Sequence, residues 1–134
     1  MSKLIIYTDG GSRGNPGPAG FGVIIYDEHN KVVAEISEFI GVTTNNQAEY
    51  KAILAGIKKA VALGATEAQF YMDSELAVKQ LNREYKVKNK DIAPIFLAIY
   101  NLTLEFKKIT FTHIRREKNT EADRLANEAM DRGE

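Results

Sequence analysis

The stretch Thr8-Asp9-Gly10-Gly11-Ser12-Arg13-Gly14-Asn15-Pro16-Gly17 decides most about how this chain can fold. Its glycines and proline suit neither a helix nor a strand interior, so it reads as a loop. An apolar run, Lys3 to Thr8, leads into it, and Gly20 to Tyr26 leads out. Strand, glycine loop, strand is the wrong order for a dinucleotide or P-loop site, which needs a helix after its loop. Neither G-x-G-x-x-G at the required spacing nor G-K-[ST] occurs. Residues 20–26 and 32–40 instead form a hairpin about Asp27-Glu28-His29-Asn30, and the first strand joins them in a meander. Asp9 then stands where a buried strand gives out, beside glycines that let another molecule's backbone come close. In isolation, such an Asp-Gly pair is also ordinary turn chemistry.

Downstream, Thr44-Asn45-Asn46 caps a helix to about Leu63, whose apolar positions follow helical spacing and which Gly64 ends. Glu49 falls in its first turn, where an acid favours the helix dipole. Gln69 to Met72 is a short strand, and Asp73 or Ser74 caps a helix from Glu75 to about Arg83. After a polar link, Tyr85 to Asn89, comes a helix from Ile92 to Phe106 with Pro94 in its first turn. Ile109 to Ile114 is the last strand. A helix from Asn119 or Thr120 to about Met130 follows, with Asp123 spaced from Thr120 as in a capping box. The order β-β-β-α-β-α-α-β-α predicts a mixed sheet with helices packed on it, one α/β domain over residues 1–134.

Composition bounds the function classes. At 134 residues, 44% apolar and 27% charged, the chain is long enough to bury a core unaided. Eighteen basic and eighteen acidic side chains cancel, which argues against tight, indiscriminate binding to nucleic acid. The bases are uneven, however. Lys79, Arg83, Lys86, Lys88 and Lys90 fall together, as do Lys107, Lys108, Arg115, Arg116 and Lys118: two local basic patches, or two solvated surfaces. Absence of cysteine excludes disulfides and thiolate metal sites and suits a reducing compartment, so a cytoplasmic location is expected. Leu4-Ile5-Ile6 is too short for a signal core or a membrane span.

Asp9, Glu49, Asp73 and Asp123 share one kind of position, a strand end or the first turn of the helix after it, at the edge where open α/β sheets bind ligands. Were all four to converge, adjacent carboxylates would raise one another's pKa and call for cations. Oxygen ligands without His or Cys suit Mg²⁺ or Mn²⁺ better than Zn²⁺. Two such ions would form the clamp used for in-line displacement at phosphorus.

TDGGSRGNPGPAGFG around Asp9, TTNNQAEY around Glu49, MDSELAV around Asp73 and EADRLAN around Asp123 together resemble, in order, the signature blocks of type 1 ribonuclease H. The resemblance runs from about Lys3 to Met130. It implies a ribonuclease H-like fold: a five-stranded mixed sheet, three antiparallel strands then two parallel, with helices on both faces. It also implies endonucleolytic cleavage of the RNA strand of RNA/DNA hybrids with two Mg²⁺ ions, Mn²⁺ being a substitute, leaving 5′-phosphate and 3′-hydroxyl ends. Asp9, Glu49, Asp73 and Asp123 match the family's metal-binding catalytic acids. Arg13, Asn15, Asn45, Asn46 and Glu75 fall where the family contacts the hybrid's minor groove, and Thr44 where it holds a DNA phosphate. Short amides suit that task, because they can donate to and accept from a 2′-OH. A monomer is expected, with no obligate protein partner.

Two departures from the family pattern stand out. The Gly-His loop that many members carry before the last acid is missing; Thr112 to Asn119 is shorter, leaving His113, Arg115 or Arg116 as candidates for its role. The basic protrusion of some members is reduced to Tyr85-Lys86-Val87-Lys88-Asn89, from which weaker hybrid binding is expected. Two alternatives stay open: a weak or inactive hybrid-binding module of the same fold, and another nuclease of the superfamily.

Overall fold

The computed structural model describes residues 2–134. Among these, five strands form one sheet: β1 (Lys3–Ser12), β2 (Gly17–Tyr26), β3 (Val32–Thr43), β4 (Glu67–Met72) and β5 (Lys108–His113). Its order is β3-β2-β1-β4-β5. β2 pairs antiparallel with both β1 and β3, while β4 pairs parallel with β1 and β5 parallel with β4. The helices are α1 (Asn45–Ala62), α2 (Glu75–Leu81), α3 (Ala93–Thr103) and α4 (Thr120–Arg132), with a 3-10 turn at Arg116–Lys118 before α4.

Alternation along the strands sorts the faces. Leu4, Ile6, Val23, Ile25 and Phe70 form a core with Ile53 and Ile57 of α1. α1 settles closely because it has Gly56 there, where a Cβ would meet Phe70 at 3.1 Å and Ile6 at 3.3 Å. α3 packs outside α1 through the buried Ile99. α4 lies on the other face and buries Ala122, Leu125, Ala126 and Ala129. Helices on both faces of a mixed sheet are thus observed.

The stretch that reads as a loop is strand for four more residues. Asp9, Gly10, Gly11 and Ser12 pair with Gly22, Phe21, Gly20 and Ala19. Glycine lacks the side-chain pattern that marks a strand, yet here two helices press so closely that only glycine fits. A Cβ on Gly10 would lie 2.3 Å from the Ala48 carbonyl carbon of α1, and one on Gly22 2.3 Å from the Ala122 oxygen of α4. The parallel ladder with β4 stops at Thr8↔Met72. Asp9 and Asp73 are therefore the first residues beyond it, on neighbouring strands.

Two further expectations are corrected, and the alternatives for the cap of α2 are resolved. With Thr44 as N-cap, its Oγ1 accepting from the Gln47 N–H at 3.2 Å, Glu49 is the fifth helical residue and outside the first turn. Ser74, one of the two expected caps, caps α2 by accepting from the Ala77 N–H at 3.2 Å, so the Asp73 carboxylate is not spent as the cap. No capping box starts α4. The N-cap Asn119 instead sends its Nδ2 to the Thr8 carbonyl, 2.9 Å away.

Gly22→Ala should loosen α4 from the sheet. The added methyl has backbone and the Leu125 Cβ at 2.6 Å to displace, and overpacking of this kind costs about 1–3 kcal/mol. A lower urea midpoint at unchanged slope is expected; an unchanged midpoint would show that α4 does not seat on Gly22.

Candidate active site

Because β4 inserts beside β1, Asp9 and Asp73 emerge from adjacent parallel strands. Glu49 enters from α1, whose approach Gly10 permits. Asp9, Glu49 and Asp73 each offer a carboxylate oxygen, and the three atoms lie within 4.8 Å of one another. Asp123, in the first turn of α4, lines the same cavity of about 410 Å³, together with Gly10, Ser12, Arg13, Asn45 and Arg116.

The electrostatics are those of crowded acids. Asp9 is 8% exposed, and its pKa rises from 3.8 to about 8 through burial, then the Asp73 charge, then its hydrogen bond to Asp123. Burial and the charges of Asp9 and Asp73 push Glu49 well above the usual carboxylate range. Burial also raises Asp73, against the Asn119 hydrogen bond and the Arg116 charge. Glu49 Oε2 is buried without a hydrogen-bond partner among the described residues. An oxygen withdrawn from water in this way is costly unless something positive reaches it. Oxygen donors without nitrogen or sulfur fit a hard divalent cation, which Asp9, Glu49 and Asp73 could hold together.

Around this centre, side chains tie the glycine loop to the helices. Ser12 donates its N–H to Asn45 Oδ1 at 2.7 Å, and the Asn45 N–H donates to Asn15 Oδ1 at 3.1 Å. Arg13 pairs with Asp131 at 2.6 Å and reaches Asn127 at 3.5 Å. Of the expected contact residues, Arg13 and Asn45 line the cavity, and Asn15 joins through Asn45. Thr44 is spent as a cap, Asn46 is half-buried outside the lining, and the exposed Glu75 lies 3.7 Å from Lys79. His113 is exposed on β5 and outside the lining, while the 3-10 turn brings Arg116 into it; Arg115 lies 3.9 Å from Glu117.

Asn119, Asn127 and Met130 escaped the sequence reading. Asn127 and Met130 follow Asp123 by four and seven residues, so the helical period alone could have placed them on its face.

Fold and site together define a class: a family model described as reverse transcriptase-like matches residues 7–129. The bifunctional protein Rv2228c of Mycobacterium tuberculosis is 48% identical over 130 residues, 96% of this chain and 36% of that protein. The chain thus spans little more than a third of the length of the mycobacterial relatives it matches. The N-terminal RNase H domain of Rv2228c has the same fold with a TM-score of 0.94 at 47% identity, over 96% of this chain and 99% of that one. Ribonuclease HI of Halobacterium salinarum is 39% identical over 129 residues, 96% of this chain and 65% of that protein. LC11-RNase H1, from compost and solved in complex with an RNA/DNA hybrid, has a TM-score of 0.91 at 46% identity, over 96% of this chain and 97% of its own. The chain belongs to the ribonuclease H family.

Proposed function

We propose that this chain is an endoribonuclease that hydrolyses the RNA strand of RNA/DNA hybrids with two Mg²⁺ ions, or Mn²⁺ in their place, leaving 5′-phosphate and 3′-hydroxyl ends. The observation that carries the reading is the trio Asp9, Glu49 and Asp73, with oxygens within 4.8 Å and one Glu49 oxygen buried without a partner. Asp9 and Asp73 would be the central metal ligands, and Glu49 and Asp123 would each help to hold an ion. When bound, the ions would lower the pKa of the attacking water and stabilise the leaving 3′ oxygen.

The protein's own part is to present donors and exclude alternatives. Asn45 Oδ1 is occupied by Ser12, and Asn15 Oδ1 by the Asn45 N–H. Each amide is thereby oriented with its NH₂ free, as a donor to a 2′-OH or a base edge in the minor groove. Arg13, held by Asp131, is assigned to the minor groove with Asn46 and Glu75, and Thr44 to a phosphate of the DNA strand. Arg116 lines the cavity and its charge acts on Asp73, and we assign it the part that the missing Gly-His loop would otherwise take. The chain acts as a monomeric ribonuclease H domain, and its lack of cysteine is compatible with a reducing cytoplasm. Among the described residues no helix is long and apolar enough to cross a membrane.

Labelled hybrid, duplex RNA and duplex DNA, incubated side by side with Mg²⁺ or Mn²⁺, test this. Cuts confined to the hybrid's RNA strand, with 5′-phosphate ends, are expected. Preference for duplex DNA would favour another nuclease of the superfamily, and a gel shift without cleavage in either metal a binding module.

A further inference from the structure

Asn119 is only 1% exposed, although asparagine is mostly a surface residue. It stands just before α4, where an asparagine ordinarily caps the helix with its side-chain oxygen, yet among the described residues no side-chain cap forms. The side chain turns inward instead. Its Nδ2 donates to the Thr8 carbonyl at 2.9 Å, and a second hydrogen bond joins the side chain to the Asp73 carboxylate. That bond favours the charged form of Asp73, as a donated hydrogen does, and Oδ1 has no partner among the described residues. Both bonds therefore come from Nδ2, and one planar amide spends its two hydrogens on two neighbouring strands.

Thr8↔Met72 is the last pair of the ladder between β1 and β4, and Asp9 and Asp73 lie just beyond it. Asn119 joins the strands at that point. It holds the residue before Asp9 by its carbonyl and Asp73 by its carboxylate, while its own carbonyl accepts the Asp123 N–H at 3.1 Å. Acids this crowded repel one another, and the half-buried Asp73 would otherwise have solvent to turn into. The arrangement is not the most stable one for the fold. A buried oxygen left unpaired is destabilising, so an apolar residue would suit this position better if the tie between the strands did nothing.

We propose that Asn119 is a positioning residue for the carboxylate cluster, holding Asp9 and Asp73 so that their oxygens converge before any cation arrives. This role rests on the metal-dependent reading proposed above and deepens it: an uncharged residue that is not itself a ligand sets the affinity for the metal. Carboxylates already gathered spare a cation the work of gathering them, and hydrogen-bond partners that orient metal ligands are worth about 10–100-fold in metal affinity or activity. Buried as it is, Asn119 does not meet the hybrid, so hybrid affinity should not depend on it.

Asn119→Ala in the intact chain tests the proposal, with Ile99→Val as a control for lost stability, since Ile99 is buried on α3 and outside the carboxylate cavity. Mg²⁺ titrations without hybrid, followed by amide NMR signals, give the metal affinity; steady-state cleavage at saturating Mg²⁺ gives kcat and KM. Asn119→Ala should bind Mg²⁺ about tenfold more weakly and lower kcat, with the KM for hybrid within about twofold of the unsubstituted value. Ile99→Val should lower the urea midpoint and leave all three quantities unchanged. If the alanine variant does not fold, Asn119→Ser, which keeps a shorter donor, is measured in its place. Unchanged Mg²⁺ affinity in a folded Asn119 variant, a raised KM at full kcat, or an equal loss of Mg²⁺ affinity in Ile99→Val would each overturn the proposal while leaving the metal-dependent reading intact. An unsubstituted chain that binds no Mg²⁺ would overturn both.

Discussion

Asp9→Asn should abolish hybrid cleavage while making the metal-free protein more stable. The first half follows from position. Asp9 is the first residue beyond the β1–β4 ladder, with carboxylates of Glu49 and Asp73 within 4.8 Å, so its charge serves the centre of any metal clamp. Losing one preorganised charge of that kind costs about three orders of magnitude in rate. The second half follows from burial. Asp9 is 8% exposed and among acids that repel its charge. Asparagine keeps the shape and removes the charge, which at pH above about 8 relieves a penalty of a few kcal/mol. Cleavage of labelled hybrid in Mg²⁺ and urea unfolding in EDTA would be measured on the same preparation. Activity near that of the unsubstituted protein would sink the assignment of Asp9 as a metal ligand. Lower stability would mean that its carboxylate is held by favourable contacts rather than crowded.

Much of this site was legible because its parts are local. Thr44 and Gly64 bracket α1 by chemistry that needs no tertiary context, and Glu49 follows by counting. The hairpin of β2 and β3 was readable from its turn. What escaped depends on contacts between distant segments. Asp9 to Ser12 look like a loop because glycines carry no alternation; they are strand because they pair with β2, and Gly10 within them is glycine because Ala48 of α1 leaves no room for a Cβ. Convergence of Asp9 with Asp73 requires β4 to insert beside β1 rather than at the sheet's far edge, and no spacing in the chain specifies that. Asn119 illustrates the same limit. In sequence it is a helix-start residue, but in the fold its side chain abandons the cap to hold the Thr8 carbonyl, one residue before Asp9. The choice of Arg116 over His113 rests on a three-residue 3-10 turn, which is too short to leave a periodic signal.

Without divalent metal, the protein should lose stability as pH rises from about 4 to about 8, and Mg²⁺ should restore more of it the higher the pH. In the unfolded chain Asp9 ionises near 3.8, whereas in the folded protein it does so near 8, and Glu49 and Asp73 are raised in the same sense. Between those limits the native state binds protons that the unfolded state has released, so the unfolding free energy falls with pH through that window and levels off above it. At about 1.4 kcal/mol per pKa unit, the Asp9 shift amounts to several kcal/mol. A cation competes with those protons for the same oxygens. Mg²⁺ should therefore raise the melting temperature little near pH 5, where protons already neutralise the cluster, and most near pH 8–9. Asp9→Asn should flatten the pH slope and shrink the Mg²⁺ shift together, because both arise from one set of carboxylates. Melting curves at several pH values, in EDTA and in Mg²⁺, would show it. Stability that climbs with pH in EDTA, or a Mg²⁺ shift of equal size at every pH, would mean that the cluster is not crowded enough to need a cation.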